Sequence, residues 1–238
     1  MINTYNESSL HKTLKSFYAL QNEGAKTEVQ IDSYIVDIQT EDGNIIEIQT
    51  GNLGKLKEKC LYFIKNKKNI TVVYPLVISK NIETKNSITQ KISCRKSPVH
   101  KNIYSIFREL TSLYEILLNK YFYLEIFNVE ITELRESFKE AVQSKNGRRR
   151  FKKNWLKTGK RLESLGSQIL LHGKSSYKKF IPFEKNYIFT CRELFDALKN
   201  QNKYLKIQDI KIMIWVFEKI SLIEFVGKRG NSKLYVLK

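Results

Sequence analysis

The sequence predicts an α/β protein: a mixed β-sheet flanked by helices, followed by a small C-terminal domain. Two strand patterns around a Gly-containing turn predict a hairpin near the start, and the apolar run at residues 70–77 predicts a buried strand. Two helical patterns and a second hairpin end the chain. We predict a first domain over residues 1–143, a basic connecting segment over 144–186 and a C-terminal domain over 187–238.

The first predicted element is a helix that runs from a cap at Thr4 or Asn6 to about Leu20. Glu7 lies on the same side of this helix as its apolar residues. A carboxylate among core-facing residues is costly unless it is paired or bound to a cation. The alternative is that Glu7, in the first turn, only stabilises the helix through its dipole.

The next two strands, Tyr34–Thr40 and Asn44–Thr50, are predicted to form a hairpin because residues 41–43 read Glu-Asp-Gly. Side chains alternate along a strand, so Ile46 and Ile48 are expected to face the core.

Three polar side chains of this hairpin share the opposite face: Asp37, Glu47 and Gln49. In the predicted register Asp37 lies directly across from Glu47, and two facing carboxylates repel each other. A divalent cation with hard oxygen ligands, such as Mg²⁺, is the simplest compensation. The alternative is a solvated sheet face on which both carboxylates point outward.

The middle of the chain continues the alternation of helix and strand. The predicted elements are a helix at Lys55–Lys65, strands at Ile70–Val77 and Tyr121–Thr132, and a helix at Tyr104–Asn119. Residues 79–102 are polar and are expected to be irregular, with at most one short strand. Ser144–Lys153 combines a turn signal with a run of positive charge, which indicates a boundary or an exposed loop.

The last fifty residues have a pattern of their own. A capping box from Thr190 to Glu193 opens a helix to about Asn200, and a second helix is predicted at Ile207–Ile220. Strands at Leu222–Val226 and Leu234–Leu237 follow, joined by a basic turn. Helix, helix and basic hairpin is the order of a winged helix; the alternative is a small helical cap with a terminal hairpin.

The charge is unevenly distributed. The net charge is +18, yet residues 1–60 hold nine acidic and six basic residues, whereas residues 145–185 hold thirteen basic and two acidic ones. A general bias toward lysine would not segregate the charge in this way. The excess indicates a polyanionic partner, with nucleic acid favoured over an anionic membrane surface.

Two groups of residues are predicted to contact DNA. The basic segment suits phosphate contacts, and the second helix and the hairpin of the C-terminal domain suit the major groove and the backbone. The residues are Arg148, Arg149, Arg150, Lys152 and Lys153 in the segment, Lys206, Gln208 and Lys211 at the helix, and Lys228 and Arg229 in the hairpin. The alternatives are a solvated loop and a protein-binding winged helix.

Other classes of protein are disfavoured by what the sequence lacks. The three cysteines are isolated, so neither a disulfide framework nor a zinc site is indicated. We found no membrane span, signal peptide, Gly-rich nucleotide loop or Ser-His-Asp order in the sequence. A cytoplasmic location without a membrane partner is expected.

Several stretches resemble a known superfamily. Glu7 on a first helix, Asp37 on a strand and Glu47-Ile48-Gln49 on the next strand resemble the PD-(D/E)xK, or restriction-endonuclease-like, nucleases. The stretches LHKTLK, IIEIQTGN, FREL and VGKRGN resemble a bacterial family that joins such a domain to a C-terminal winged helix. The resemblance implies a helix, a three-stranded antiparallel meander, a helix and a further strand over residues 1–77.

The resemblance also implies roles for individual residues. Asp37, Glu47 and the backbone carbonyl of Ile48 would hold Mg²⁺ or Mn²⁺, with Glu7 as a helper or second-metal ligand. Gln49 stands where the superfamily usually has lysine, and a glutamine supplies no positive charge. Lys55 or Lys59, on the following helix, could supply that charge instead.

The function expected from the sequence is metal-dependent hydrolysis of DNA phosphodiester bonds by an endonuclease with a winged-helix tail. Two alternatives stay open: a catalytically inactive nuclease fold that serves as a DNA-binding regulator or adaptor, and a nuclease subunit of a multi-protein defence or transposition system. Double-strand cleavage usually needs two active sites, so a homodimer is a further expectation.

Overall fold

The computed structural model describes residues 9–144 and 146–238. It contains six α-helices and ten β-strands within those residues. The helices are α1 (Ser9–Gln21), α2 (Lys57–Lys65), α3 (Phe107–Leu110), α4 (Gly173–Lys178), α5 (Cys191–Lys199) and α6 (Ile207–Lys219). The strands are β1 (Lys26–Ile31), β2 (Tyr34–Gln39), β3 (Ile45–Ile48), β4 (Ile70–Asn86), β5 (Ile92–Lys96), β6 (Phe122–Val142), β7 (Lys153–Leu171), β8 (Phe189–Thr190), β9 (Ile223–Arg229) and β10 (Ser232–Leu237).

The large sheet is mixed, as the sequence predicts. Its strand order is β1-β2-β3-β4-β6-β7, with β5 paired to β4. Strands β1, β2 and β3 form an antiparallel meander, β3 runs parallel to β4, and β4 runs parallel to β6. The carboxyl ends of β3, β4 and β6 therefore point in the same direction.

The predicted hairpin is confirmed in position and register. Ile38 pairs with Ile46, and Thr40 closes the turn by donating its N–H to the carbonyl of Asn44. Gly43 has a φ of 76°, in the left-handed region that the turn requires. Thr4, Asn6 and Glu7 lie outside the described residues, so the predicted start of the first helix is not assessed.

Strands β4, β6 and β7 are much longer than the sequence predicts. β4 continues for nine residues beyond Val77, and β6 for ten beyond Thr132. A strand also fills residues 153–171 of the segment expected to be a connection. The apolar pattern stops where the sheet leaves the core, so only backbone pairing marks these extensions. Residues 78–86, 133–142 and 153–160 form a polar ribbon that is exposed or half-buried, apart from Ile82 and Glu133, which are buried.

The single helix predicted at Tyr104–Asn119 is wrong. A 3₁₀ turn at Ile103–Ile106 leads into the four-residue α3, and turns follow. The Thr111 and Ser112 hydroxyls donate to backbone carbonyls three residues earlier, at 2.8 Å each, which competes with a continued helix. The buried residues Leu110, Leu113 and Ile116 are three residues apart. This spacing occurs in successive 3₁₀ turns and also on one face of an α-helix, so the sequence pattern alone does not separate the two.

Two hydrophobic clusters hold the sheet. The smaller packs α1 against the sheet through Leu10, Leu14, Ile46 and Ile48, as expected for the core-facing isoleucines. The larger lies between the sheet, α2, α3 and the C-terminal elements.

The C-terminal elements follow the predicted order. Helices α5 and α6 precede a three-stranded antiparallel sheet with the order β8-β10-β9. Thr190 and Glu193 form the predicted capping box, because the Thr190 hydroxyl accepts from the Glu193 N–H at 3.1 Å and the Glu193 carboxylate accepts from the Thr190 N–H at 2.7 Å. Among the described residues, no helix has the length and apolar character needed to cross a membrane.

Candidate active site

Two carboxylates meet where β2 and β3 separate. After the pair Ile38–Ile46 the backbone ladder between these strands ends, and side chains take over its hydrogen bonds. The Asp37 N–H donates to Glu47 Oε1 at 3.2 Å, and the Ile48 N–H donates to Asp37 Oδ2 at 2.8 Å. Each carboxylate thus binds the backbone of the other strand, which fixes both side chains in the gap.

A basic side chain reaches each carboxylate from a helix. His11 Nε2 on α1 lies 3.2 Å from Asp37 Oδ2, and Lys59 Nζ on α2 lies 2.5 Å from Glu47 Oε1. Lys59 also donates to the carbonyl of Ile35 at 2.6 Å. The site is therefore built from two helices and two strands.

Burial distinguishes the two acids. The Glu47 side chain is 5% exposed and that of Asp37 is 17% exposed, so neither lies on a solvated face. Burial, the largest influence, raises the pKa of Glu47 to about 7 against the opposing effect of the Lys59 ammonium. Burial also acts to raise the pKa of Asp37, but hydrogen bonds from His11 and the Ile48 amide outweigh it and hold that pKa below its usual range.

Gln49 turns away from the carboxylates. Its side-chain amide donates to the carbonyls of Gly51 and Asn52, at 2.6 and 3.2 Å, in the loop that leads to α2. Lys59, rather than Gln49, brings a side-chain nitrogen to Glu47, while Lys55 is exposed.

The donor atoms at this site suit a hard cation. In an extended strand the N–H and C=O of one residue point to the same side, so the carbonyl of Ile48 also faces β2 and Asp37. Two carboxylates and one carbonyl resemble the protein share of a magnesium site, in which waters and phosphate oxygens complete the shell. Within the described residues, no group of three or more His, Cys, Asp or Glu side chains is arranged to hold a metal, and Glu7 lies outside them.

The five residues of the basic segment that were predicted to contact DNA lie in the loop between β6 and β7 and at the start of β7. Arg148, Arg150, Lys152 and Lys153 are exposed there. Arg149 is partly buried, and its guanidinium donates to the carbonyl of Trp155 at 2.9 Å. The structure does not bring these residues into contact with Asp37 or Glu47.

The predicted DNA contacts of the C-terminal unit are all exposed. Lys206, Gln208 and Lys211 lie at the beginning of α6, and Lys228 lies on β9. Arg229 forms an ion pair with Glu193 of α5, so part of its charge is already compensated.

A second charged cluster lies on the polar ribbon, and the sequence did not predict it. It consists of Lys80 on β4, Glu133 and Arg135 on β6, and Lys157 on β7. The alternation of Glu133 and Arg135 along one strand was a usable signal, but the partners on β4 and β7 follow only from strand pairing.

Comparisons with known proteins identify the family. A family profile described as "Domain of unknown function (DUF8091)" matches residues 8–172, about two thirds of the chain. The chain belongs to this family. The match ends one residue after β7, so it spans the large sheet and stops before α4.

A relative from Treponema pallidum (strain Nichols), described as "Uncharacterized protein", is 29% identical over 193 residues. The alignment covers 81% of this chain and 73% of that protein. No solved structure was found to match the chain.

Proposed function

We propose that this protein is a metal-dependent deoxyribonuclease with a restriction-endonuclease-like domain and a C-terminal winged helix. The observation that supports it best is the buried pair Asp37 and Glu47, fixed in the gap between two strands with Lys59 at Glu47 Oε1. A buried acidic pair with a lysine beside it is expensive to maintain, and it provides what phosphodiester hydrolysis needs.

The strand order also supports the proposal. The resemblance implies a three-stranded antiparallel meander, a helix and a further strand within residues 1–77. Strands β1 to β3, α2 and β4 follow in that order, and β4 runs parallel to β3. In the C-terminal unit, two helices followed by a hairpin whose strand β10 pairs with the short β8 fits a winged helix.

The residues divide the work by position. Asp37, Glu47 and the Ile48 carbonyl would hold Mg²⁺ or Mn²⁺, which when bound lowers the pKa of water and polarises the scissile phosphate. Lys59 takes the place of the usual strand lysine, because its ammonium provides the positive charge that Gln49 lacks. The hydrogen bond from His11 stabilises the ionised form of Asp37 and fixes the orientation of its carboxylate.

A second candidate function is DNA binding without cleavage. Lys59 contacts Glu47 and His11 contacts Asp37, so each carboxylate already has a basic partner within the chain. A regulator or adaptor on this fold would keep such a site as an internal ion-pair network.

Cleavage of supercoiled plasmid with Mg²⁺ or Mn²⁺ tests the first proposal. Asp37→Asn and Glu47→Gln are expected to lower the rate by about 10²-fold or more, because each removes a charge that acts in the transition state. Lys59→Met is expected to lower it to a similar extent. Asp42→Asn, the same change at the exposed tip of the same hairpin, is the matched control and should keep the wild-type rate.

Equal cleavage by all five proteins would contradict the assignment of the site. If the wild type cleaves nothing with either metal but binds duplex DNA in a salt-sensitive way, and Asp37→Asn binds equally well, the second candidate is favoured.

A further inference from the structure

The polar ribbon carries a cationic cluster built around one carboxylate. Glu133 is buried, and its two oxygens contact three cations from three strands. Lys80 Nζ lies 3.3 Å from Oε2, Arg135 Nε lies 2.7 Å from Oε1, and Lys157 Nζ lies 3.8 Å from Oε2. Strand pairing alone brings these four side chains together.

The positive charge of this cluster exceeds what Glu133 can balance. Lys160 lies across from Glu133 in the pairing of β6 and β7, and burial followed by the charge of Lys157 lowers its pKa to about 8. Burial and the neighbouring cations also lower the pKa of Lys157. The carboxylate of Glu133 contacts three cations, Lys80, Arg135 and Lys157, and one negative charge does not balance three positive ones.

Trp155 restricts the orientation of Arg135 in the cluster and of Arg149 in the neighbouring loop. The guanidinium carbons of Arg135 and Arg149 lie 3.7 and 4.4 Å from the centroid of the Trp155 ring. Stacking on an indole and hydrogen bonding to Glu133 and the Trp155 carbonyl restrict both guanidinium groups. Groups that are fixed beforehand lose less conformational entropy when an anion binds.

These groups surround an open cavity, which we call the ribbon cavity. Its volume is about 440 Å³, enough for a phosphate and the sugar attached to it. It is lined by Lys80, Glu133, Arg135, Ser144, Asn146, Arg149, Trp155 and Lys157. Asn146 of the loop adds a side-chain amide, a common phosphate donor, and the Ser144 hydroxyl donates to Asn146 Oδ1 at 2.9 Å.

We propose that the ribbon cavity binds a backbone phosphate of the nucleic acid, away from the bond that is cleaved. Its preorganised guanidinium groups and lysines supply bidentate and point-charge contacts that suit a phosphate. The choice of nucleic acid as the source of the phosphate depends on the proposed function.

The strands set the distance between the two sites. Ile48 pairs with Val73 on β4, and Lys80 lies seven residues further along that strand. At roughly 3.3 Å per residue this offset along β4 is about 23 Å. A duplex that lies along β4 rises roughly 3.4 Å of helix axis per base pair, so the bound phosphate would lie about seven base pairs from the carboxylates.

The test is the salt dependence of DNA binding. Fluorescence anisotropy with a labelled duplex of about thirty base pairs, in EDTA and between about 50 and 200 mM salt, gives the slope of log K against log salt. Lys157→Gln is expected to weaken binding several-fold and to reduce this slope by about 0.9, the value for one lost phosphate contact. Lys157→Arg should restore the slope, and Lys68→Gln, an equal charge change before β4, should leave it unchanged.

Three outcomes would overturn the proposal. A slope that is unchanged in Lys157→Gln, or reduced equally in Lys68→Gln, would show that the ribbon cavity makes no specific contact. The third is binding of a deoxynucleoside monophosphate or inorganic phosphate that Lys157→Gln abolishes while duplex affinity stays constant, which would assign the cavity to a free phosphate compound.

The binding test stays informative if the proposed nuclease activity fails. EDTA prevents cleavage, so the difference in slope between the wild type and Lys157→Gln reports the ribbon cavity, whereas Asp37→Asn affects the cleavage assay. A reduced slope in Lys157→Gln without any cleavage by the wild type would keep the cavity and reject the nuclease. Cleavage together with an unchanged slope would do the opposite.

Discussion

The environments of Asp37 and Glu47 give these two carboxyl groups different pKa values. Asp37 and Glu47 belong to one hairpin and exchange hydrogen bonds with each other's backbone, yet their pKa values move in opposite directions. Burial dominates for Glu47, while donors from His11 and Ile48 dominate for Asp37. Two acids with separated pKa values are typical of sites where carboxylates have different tasks.

Lys160 provides a test of such effects through stability. Its folded-state pKa of about 8 lies below its ordinary value of 10.5, so its charged form destabilises the fold at neutral pH. The stability of the wild type should therefore gain a contribution from Lys160 as pH rises from about 8 to about 10.5. Lys160→Met removes this dependence and should be more stable at pH 7, by about 1 kcal/mol after allowance for partial solvent screening.

Urea unfolding of both proteins at about pH 7 and about pH 10 measures this difference. The advantage of the variant should shrink at the higher pH, because the wild-type lysine has then lost its proton. An advantage that is the same at both pH values would contradict the assignment, and Lys68→Met at an exposed site is the control.

At two boundaries between elements, side chains form the hydrogen bonds that the neighbouring backbone groups would otherwise lack. Strands β2 and β3 separate where the carboxylates of Asp37 and Glu47 bind the backbone, and α5 begins where Thr190 and Glu193 exchange hydrogen bonds. The first replacement produces the candidate site, and the second fixes the entry to the C-terminal helices.

The capping box gives a prediction for α5. Thr190→Ala removes the acceptor for the Glu193 N–H and should lower the free energy of unfolding by about 1 kcal/mol. Thr190→Ser keeps the hydroxyl and should lose less. Chemical denaturation of the three proteins measures the difference, and equal losses in both variants would assign the effect to the methyl group instead of the cap.

At the scale of the whole molecule, one hydrophobic core joins the sheet to the C-terminal unit. Phe107 of α3 packs edge-to-face against Phe180 and against Phe217 of α6, each with ring centroids 5.1 Å apart. These residues and those of β4, β6 and α5 belong to one continuous cluster. The separate C-terminal domain that the sequence predicts is thus attached to the sheet through buried aromatic side chains.

This continuity predicts a single unfolding transition. Phe217→Ala should lower the free energy of unfolding by about 3 to 5 kcal/mol and destabilise the sheet and the C-terminal unit together. Phe225→Ala, at a half-exposed phenylalanine of β9, is the matched control and should cost much less. Two transitions in circular dichroism and tryptophan fluorescence, with only one shifted by Phe217→Ala, would refute the single core.

The sequence by itself determined the elements whose signals are local. Alternation and the turn residues 41–43 were enough for the hairpin and its register, and the capping box at Thr190 was enough for α5. The two carboxylates and the uncertain role of Gln49 were also identified from the sequence, because they lie within thirteen residues of each other.

Only the tertiary structure decided which side chains complete each site. Lys59 reaches Glu47, and Lys80, Glu133 and Lys157 converge, because strands and helices distant in the chain pack side by side. The polar extensions of β4, β6 and β7 have no apolar period, and they are defined by the pairing of β6 with the distant β4 and with the next strand, β7. Periodicity therefore predicts the hairpin, the buried start of β4 and the C-terminal helices, but not the turns at residues 111–119. The positions of the charges depend on contacts between distant segments.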